Sequence, residues 1–510
     1  MRHASLMTLR RLAPALLSAA ALLAGCAGLE RAPRPEGLPI EASDCLDWFE
    51  ALDAEIDAAG VRDAQEHRPA SFPYLRANRL LASFREEARA TPRVLHALAE
   101  RMQALDLAAR RHEIANLPPA RLPAPPGASP AEARSLALRR AQDCGRLLRE
   151  FDLAAPARRE ALVERAAVPD DYSTASRVAG AYAIAKWPFS RGVRRYQDEV
   201  RADFARELAP PPGGSVVRYS PPVVSVDREA VVALLARAAE DPLGIPQPAE
   251  RELHALFAAY APSFDVEITG DHDRFGELRW RRGGIVPVVD ASIPVVYVNL
   301  SWTRYHGRVL LQLVYTLWFP ERPASGRFDL LAGNLDGVTW RVTLSPEGEP
   351  LVYDTIHACG CYHLFMPTAG AEPLPEPPGE VEWAFIPQRL PAFAPGDRPL
   401  LRVATRSHYI DRVSTVRGAD SLVRYEMQPY DVLRSLADGA GGRRSLFGPD
   451  GLVAGTERAE RFFFWPMGIA SAGATRQWGR HATAFVGRRH FDDADLIERR
   501  FRLAIPEPAR

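Results

Sequence analysis

Lysine is almost absent from this chain. Of 510 residues, 64 are lysine or arginine, and Lys186 is the single lysine. The formal net charge is zero, so the basic excess that nucleic-acid binders set against phosphate is missing, and no nucleic-acid partner is expected. Arginine in place of lysine, with abundant alanine and 45 prolines, reads as the codon usage of a GC-rich genome rather than a functional signal. Cysteine is scarce too. Five residues are too few for a scaffold built on disulfides. Beyond the N-terminus no run of about 18 apolar residues occurs, so no transmembrane helix is expected there. Neither a Walker A loop nor G-x-G-x-x-G is present. HEIAN, residues 112–116, opens like a zincin helix but has Asn116 where the second histidine must bind. IASAG, 469–473, lacks the first glycine of a nucleophile elbow. CGCYH, 359–363, is not C-x-x-C-H, so haem attachment is not indicated. What remains is an ordinary globular composition, 47% hydrophobic and 25% charged, long enough for two or more cores.

The N-terminus is more specific. MRHASLMTLRR is a short basic region carrying Arg2, Arg10 and Arg11. LAPALLSAAALLAG follows as an apolar core too short to span a bilayer, and it ends in Leu23-Ala24-Gly25-Cys26. This order resembles the signal peptide and lipobox of bacterial lipoproteins. The resemblance covers residues 1–26 only, and no family is recognised for the mature chain. It implies removal of residues 1–25, lipidation of Cys26 with acyl chains such as palmitate, and a membrane partner held through that anchor. Ala27 stands where inner-membrane lipoproteins often have Asp, which implies the outer membrane, facing the periplasm. Residues 26–42 are Pro-rich and polar and read as a tether.

Four cysteines are left, Cys45, Cys144, Cys359 and Cys361. An exported chain meets an oxidising compartment, where such cysteines tend to pair. Four allow three pairings, and all three stay open at this level. A 45–144 bridge would staple two helices. A bridge between 359 and 361 would close a strained ring.

The fold class expected is α+β, with an N-terminal helical domain over 43–210 and an α+β domain over 215–510 built on a largely antiparallel sheet. Ser43 caps a helix with Leu46, Phe49, Leu52 and Ile56 near one face and Gly60 as its stop. Thr91-Pro92 opens a second helix. Ser129-Pro130-Ala131-Glu132 is a capping box starting a third, which contains Cys144. PPPGG, 210–214, is the domain boundary. Helices are expected at 228–240, after Asp227, and at 248–259. The period then changes. Residues 294–303 and 308–319 form a hairpin, 338–344 and 350–356 a second, and 400–413 with 421–427 a third pair. A short helix is expected from Asp492 or Asp493. Residues 308–319 are apolar on both faces, which calls for cover on both sides, with the N-terminal helices as the candidate cover.

The densest chemical feature is DTIHACGCYHLFM, 354–366. In an extended strand His357, Cys359, Cys361 and His363 would share one face at steps of about 6.6 Å. Ligands so spread cannot converge on one ion with bonds of about 2.0–2.3 Å. A site therefore requires a turn, which Gly360 permits, with His357 and His363 facing each other across it. The candidate metal ligands are His357, His363, His408, Cys359 and Cys361, and the candidate cofactor is a divalent transition metal such as zinc. A structural disulfide or plain turn polarity accounts for the same residues. His408 is expected in mid-strand and His306 in a solvated turn. His481 and His490 either line a pocket or simply flank an apolar stretch, and Arg476, Arg480, Arg488 and Arg489 beside them are solvated surface arginines or, alternatively, an anion-binding group. Asp271-His272-Asp273 is either a hard-ion loop or a solvated acidic loop. Trp302, Tyr305, Tyr315, Trp318, Phe319 and Trp340 are sheet core or, on one face, a groove for a carbohydrate or apolar ligand.

The function expected is that of a periplasm-facing lipoprotein with a metal or ligand site around 357–363. The alternatives are a metal-assisted hydrolase, with Asp354 as base, and a non-catalytic envelope binding or assembly protein. Its protein or small-molecule partner cannot be read from the sequence.

Overall fold

Cys45, Phe49, Leu52 and Ile56 recur every three or four positions and form the buried face of helix α1 (Ile40–Ala59). Gly60, at φ +66°, follows its end. This is a computed structural model, and it describes residues 37–123, 127–222, 228–394, 396–418 and 423–505. The signal segment, Cys26 and most of the tether lie outside the described residues, as do Asp227, Ser421 and Leu422.

Helices α2 (Pro92–Asn116), α3 (Pro130–Ala154), α4 (Pro156–Arg165) and α5 (Tyr182–Ala205) follow. The Ser129 hydroxyl accepts from the Glu132 amide at 3.3 Å, and Glu132 accepts from the Ser129 amide at 2.8 Å, which closes the capping box. Cys45 and Cys144 are disulfide-bonded with their Cα atoms 5.2 Å apart, so α1 and α3 are stapled. Leu52 and Ile56 pack with Ile114, Leu117, Ala133 and Ala137 between the three helices. Glu113 of HEIAN is fully buried and accepts from Arg76 Nη2 at 2.6 Å. Its place in the fold is that of a buried ion pair.

Pro210–Gly214 separate α5 from strand β1 (Ser215–Ser220). Then come α6 (Arg228–Ala236), α7 (Glu250–Tyr260) and the strands β2 (Ser263–Ile268), β3 (Val295–Tyr305), β4 (Arg308–Arg322), β5 (Gly333–Leu344), β6 (Pro350–His357), β7 (Leu364–Pro367), β8 (Asp397–Val403), β9 (Ile410–Arg417), β10 (Val423–Arg424) and β11 (Glu426–Pro429). They make two principal sheets. The larger has the order β11-β3-β4-β5-β6-β7 and is antiparallel except for the β11–β3 edge. The second, β9-β8-β2-β1-β10, is mixed, with β8–β2 and β1–β10 parallel. The fold is α+β. From Glu41 onward the described residues pack as one compact unit.

The first two expected hairpins form. His306 and Gly307, at φ +47° and +79°, make the two-residue turn between β3 and β4, whose hand matches strand twist. The third pair does not form. Residues 400–413 are not one strand but parts of the hairpin β8–β9, and the chain reverses through Arg406 and His408 at φ +65° and +54°. Residues 423–429 instead add to both sheets, each time parallel. No helix starts at Asp492 or Asp493; the segment is a series of turns.

The double burial of β4 has two sources. Leu311, Leu313, Tyr315 and Phe319 pack with Phe264 and Leu401 of the second sheet. The other face mixes Leu310, Val314 and Trp318 with buried polar groups, Gln312, Thr316, Thr339, Arg341 and Asp354. It is closed by the C-terminal segment, not by the helices alone. Arg341 Nη1 donates to the Phe491 carbonyl at 2.5 Å, and Thr303 donates to the Ala494 carbonyl at 2.8 Å. That segment is tied in turn to the helical region, where Arg79 Nη1 donates to the Gly479 carbonyl at 2.8 Å.

Candidate functional site

Strand β6 ends at His357, and the chain turns at once. The Gly360 amide donates to the His357 carbonyl at 2.8 Å, and the His357 amide donates to the Cys361 carbonyl at 3.0 Å. Gly360 sits at φ +91°, and a Cβ there would lie 2.5 Å from the Ala482 carbonyl oxygen. Both conformation and space demand glycine. Arg476 grips the outside of the turn, its amide donating to Ala358 O at 2.9 Å and its Nε to Cys359 O at 3.1 Å. Cys359 and Cys361 are free thiols. The hydrogen bond with Cys359, then burial, push the Cys361 thiol well above its ordinary value, so it is not a thiolate nucleophile at neutral pH.

The turn does not bring His357 and His363 together. Thr355 pairs with Leu364 across β6–β7, which puts His363 on the Asp354 face and His357 on the other. His363 Nε2 lies 2.9 Å from Asp354 Oδ2, and Arg341 Nε donates to Asp354 Oδ1 at 2.9 Å. Burial lowers His363 to about 3 against the opposing pull of Asp354, so the ring is neutral. Burial pushes the Asp354 carboxyl up, but Arg341 and His363 outweigh it and hold it low. The carboxylate is committed to these partners.

His357 belongs to a buried row of acids and imidazoles between the sheets. Its Nδ1 is 3.5 Å from Asp336 Oδ1, Asp336 Oδ2 is 2.8 Å from His408 Nδ1, and His408 Nε2 is 3.6 Å from Asp273 Oδ1. His408 stacks on Phe319 with centroids 4.0 Å apart. Burial pushes His408 down, but Asp273 and Asp336 together raise it. His357 is lowered, burial outweighing Asp336. Asp273 does not serve a solvated loop: it accepts from the Thr269 and Arg406 amides at 2.8 and 2.7 Å and is fully buried. His408 is therefore a turn residue, not the mid-strand one expected.

His357, His363, His408, Cys359 and Cys361 are thus divided among three surroundings. Among the described residues no group of three or more His, Cys, Asp or Glu side chains is placed to hold a metal ion. His306 is exposed, as expected of a turn. Arg476 and Arg489 are not surface residues; both are buried. His481 is buried too, and burial with the nearby Arg476 lowers it to about 3.

On the His363 side the turn floors a pocket of about 530 Å³. Phe189 and Tyr196 of α5 line it with Phe385, Phe464 and Phe485, above Tyr362. Phe464 lies between Phe189 and Phe485, with centroids 5.2 and 4.9 Å away. The polar groups on its wall are Cys361, His363, Glu382, Glu460 and Arg489, besides Arg195 and Gln197 of α5. Burial raises Glu382 and lifts Glu460 to about 7 against Arg458 and Arg322. The hydrogen bonds of Arg489 go to the Glu382, Trp383 and Thr483 carbonyls and the Thr483 hydroxyl, not to a carboxylate. A buried guanidinium held by neutral oxygens, beside raised carboxyls and a neutral imidazole, favours an anionic group on a ligand. The sequence flags the turn and Arg489 as a candidate anion-binding residue, but not the rest of this wall, which comes largely from α5 and from residues 460–489. RFFFWP, 461–466, was its visible trace.

A second cavity of about 620 Å³ lies between the helical region and the β3 edge, with Trp302 and Trp478 in its wall. Trp302 is thus a groove residue, whereas Tyr315, Phe319 and Trp340 are core. Three of the acids there are already paired, Glu66 and Asp431 with Arg434 and Asp492 with Arg79. No known family, no curated protein and no solved structure matches the chain.

Proposed function

We propose that the chain is a periplasm-facing outer-membrane lipoprotein, lipidated at Cys26, that binds an apolar molecule with an acidic group in the pocket at Cys361–His363. The observation that carries the binding role is the aromatic 530 Å³ cavity with Arg489 in its wall. It has the size and mixed lining of small-molecule sites. The basic region, apolar core and Cys26 in sequence support the address. A hydrolase with Asp354 as base lacks comparable support, because Arg341 and His363 occupy that carboxylate.

Gly192 of α5 lines the pocket, and a Cβ added there meets nothing within 4 Å. Gly192→Phe therefore adds a ring at the pocket wall with no clash at its Cβ. The test is native mass spectrometry of protein extracted from membranes, with displacement of an apolar fluorophore by a long-chain carboxylate. The expected result is an acylated N-terminus, a bound amphiphile and loss of fluorophore binding in Gly192→Phe. An empty cavity that takes up neither probe would overturn the binding role, and an unacylated mature N-terminus would overturn the address.

A further inference from the structure

The mouth of this pocket opens on an unusual surface. Val178, Ile184, Trp187, Phe462, Phe463 and Trp465 are 76%, 74%, 66%, 66%, 58% and 45% exposed. They are half of the large hydrophobic side chains that stand exposed among the described residues. They are also neighbours. The helix Thr174–Ala179 packs against the turn Trp465–Met467, so closely that a Cβ on Gly180 would lie 2.5 Å from Pro466 Cβ. Phe189 and Phe464, which join the patch to the pocket, have centroids 5.2 Å apart. Isolated exposed apolar residues need no explanation, but a contiguous aromatic patch does.

The charge around the patch is mainly basic, with Arg195 paired to Glu199 and Arg488 to Asp170. From Tyr172 to Gln197 there is no Asp or Glu, while Lys186, Arg191 and Arg194 are present; Arg177, in the same stretch, is buried. From Arg461 to Phe491 there is again no acid. Lys186 Nζ lies 5.8 Å from the Trp187 ring centre, and the Arg461 guanidinium lies 4.8 Å from that of Phe462. Indole and phenyl rings with cations beside them match the headgroup level of a bilayer, and an excess of cations complements anionic phospholipid.

We infer that this face docks on an anionic lipid surface and sets the pocket mouth against the bilayer, so that an amphiphile enters from the membrane. The docking rests on the patch itself; the entry route rests on the pocket reading above. The patch needs no lipid anchor to bind, which separates it from the acylation of Cys26.

The experiment uses the full chain with Cys26→Ser, purified without acyl groups, and flotation with vesicles of phosphatidylglycerol and phosphatidylcholine. The expected result is flotation that weakens with salt and with loss of the anionic lipid. Trp187→Ser with Phe462→Ser and Phe463→Ser should weaken partitioning by at least about tenfold, with unchanged circular dichroism and thermal unfolding. No flotation, or flotation indifferent to the triple substitution, would overturn the inference. So would a dimer that the same substitutions split, which would assign the patch to a second copy. An empty pocket or an unacylated Cys26 in the native protein would sink the functional proposal and leave the docking result standing.

Discussion

Replacing Cys45 and Cys144 together by alanine opens a cross-link that spans 99 residues of sequence. In the chain-entropy account, a loop of that length restricts the unfolded state by about 16 cal/mol/K, or about 4.7 kcal/mol at 25 °C. Both sulfurs sit in buried positions, at 8% and 5% exposure, so the alanines also leave a small cavity. The combined loss expected is about 3–5 kcal/mol. Urea unfolding followed by tryptophan fluorescence reads it directly. The double variant should unfold at lower urea. A reductant should bring the native protein most of the way to that midpoint, short of it by the cavity the alanines leave, and should leave the variant unmoved. Under denaturing, non-reducing conditions, Cys359 and Cys361 should titrate as free thiols. A loss under about 1 kcal/mol would refute the reasoning, since removal of a native bridge ordinarily costs about 2–5 kcal/mol. A midpoint insensitive to reductant would refute it as well.

Gly360→Ala forces a side chain into positive φ and against the Ala482 carbonyl. It should cost about 2–4 kcal/mol by thermal or urea unfolding and reduce amphiphile binding. Arg434→Met leaves Asp63 and Glu66 buried beside an apolar side chain, with an expected loss of about 3–5 kcal/mol. His481 is held at about 3, below its ordinary 6.5. Its contribution is therefore present above pH 6.5 and lost as pH falls toward 3, and His481→Asn should flatten stability against pH on that limb. Glu460 has the opposite sign: raised from 4.5 to about 7, it contributes fully below pH 4.5 and the contribution is lost as pH rises through 7. Glu460→Gln should remove that decline, read as the urea midpoint from pH 5 to 8.

Local signals carried far along this chain. The buried face of α1, the capping box at Ser129 and the first two hairpins each rest on residues within a turn or two of one another. The β8–β9 hairpin was hidden because its reversal uses Arg406 and His408 at positive φ, residue types that do not advertise a turn. The short helix expected from Asp492 or Asp493 is replaced by turns, because Leu496 and Ile497 are buried against Leu310, Val352 and Phe365 of the large sheet. At the site, Gly360 announced the turn. The rest depended on pairing across the fold. Asp336 reaches His408 across 72 residues of sequence, and the strand alternation that separates His357 from His363 is fixed by where β7 begins.

The cover on the Arg341 face of the large sheet has a consequence for the order of events during synthesis. Arg341 sits in the middle of that face, yet its carbonyl partner is Phe491, 150 residues later. Arg79 waits across 413 residues for Asp492. The α1–α3 staple needs nothing beyond Cys144. The sheet cannot shed water from its charged face until the last elements emerge. The chain should therefore pass through a state that is cross-linked at one end and wet at the other. Truncation between residues 430 and 490 should trap it there, with Arg341 left facing solvent.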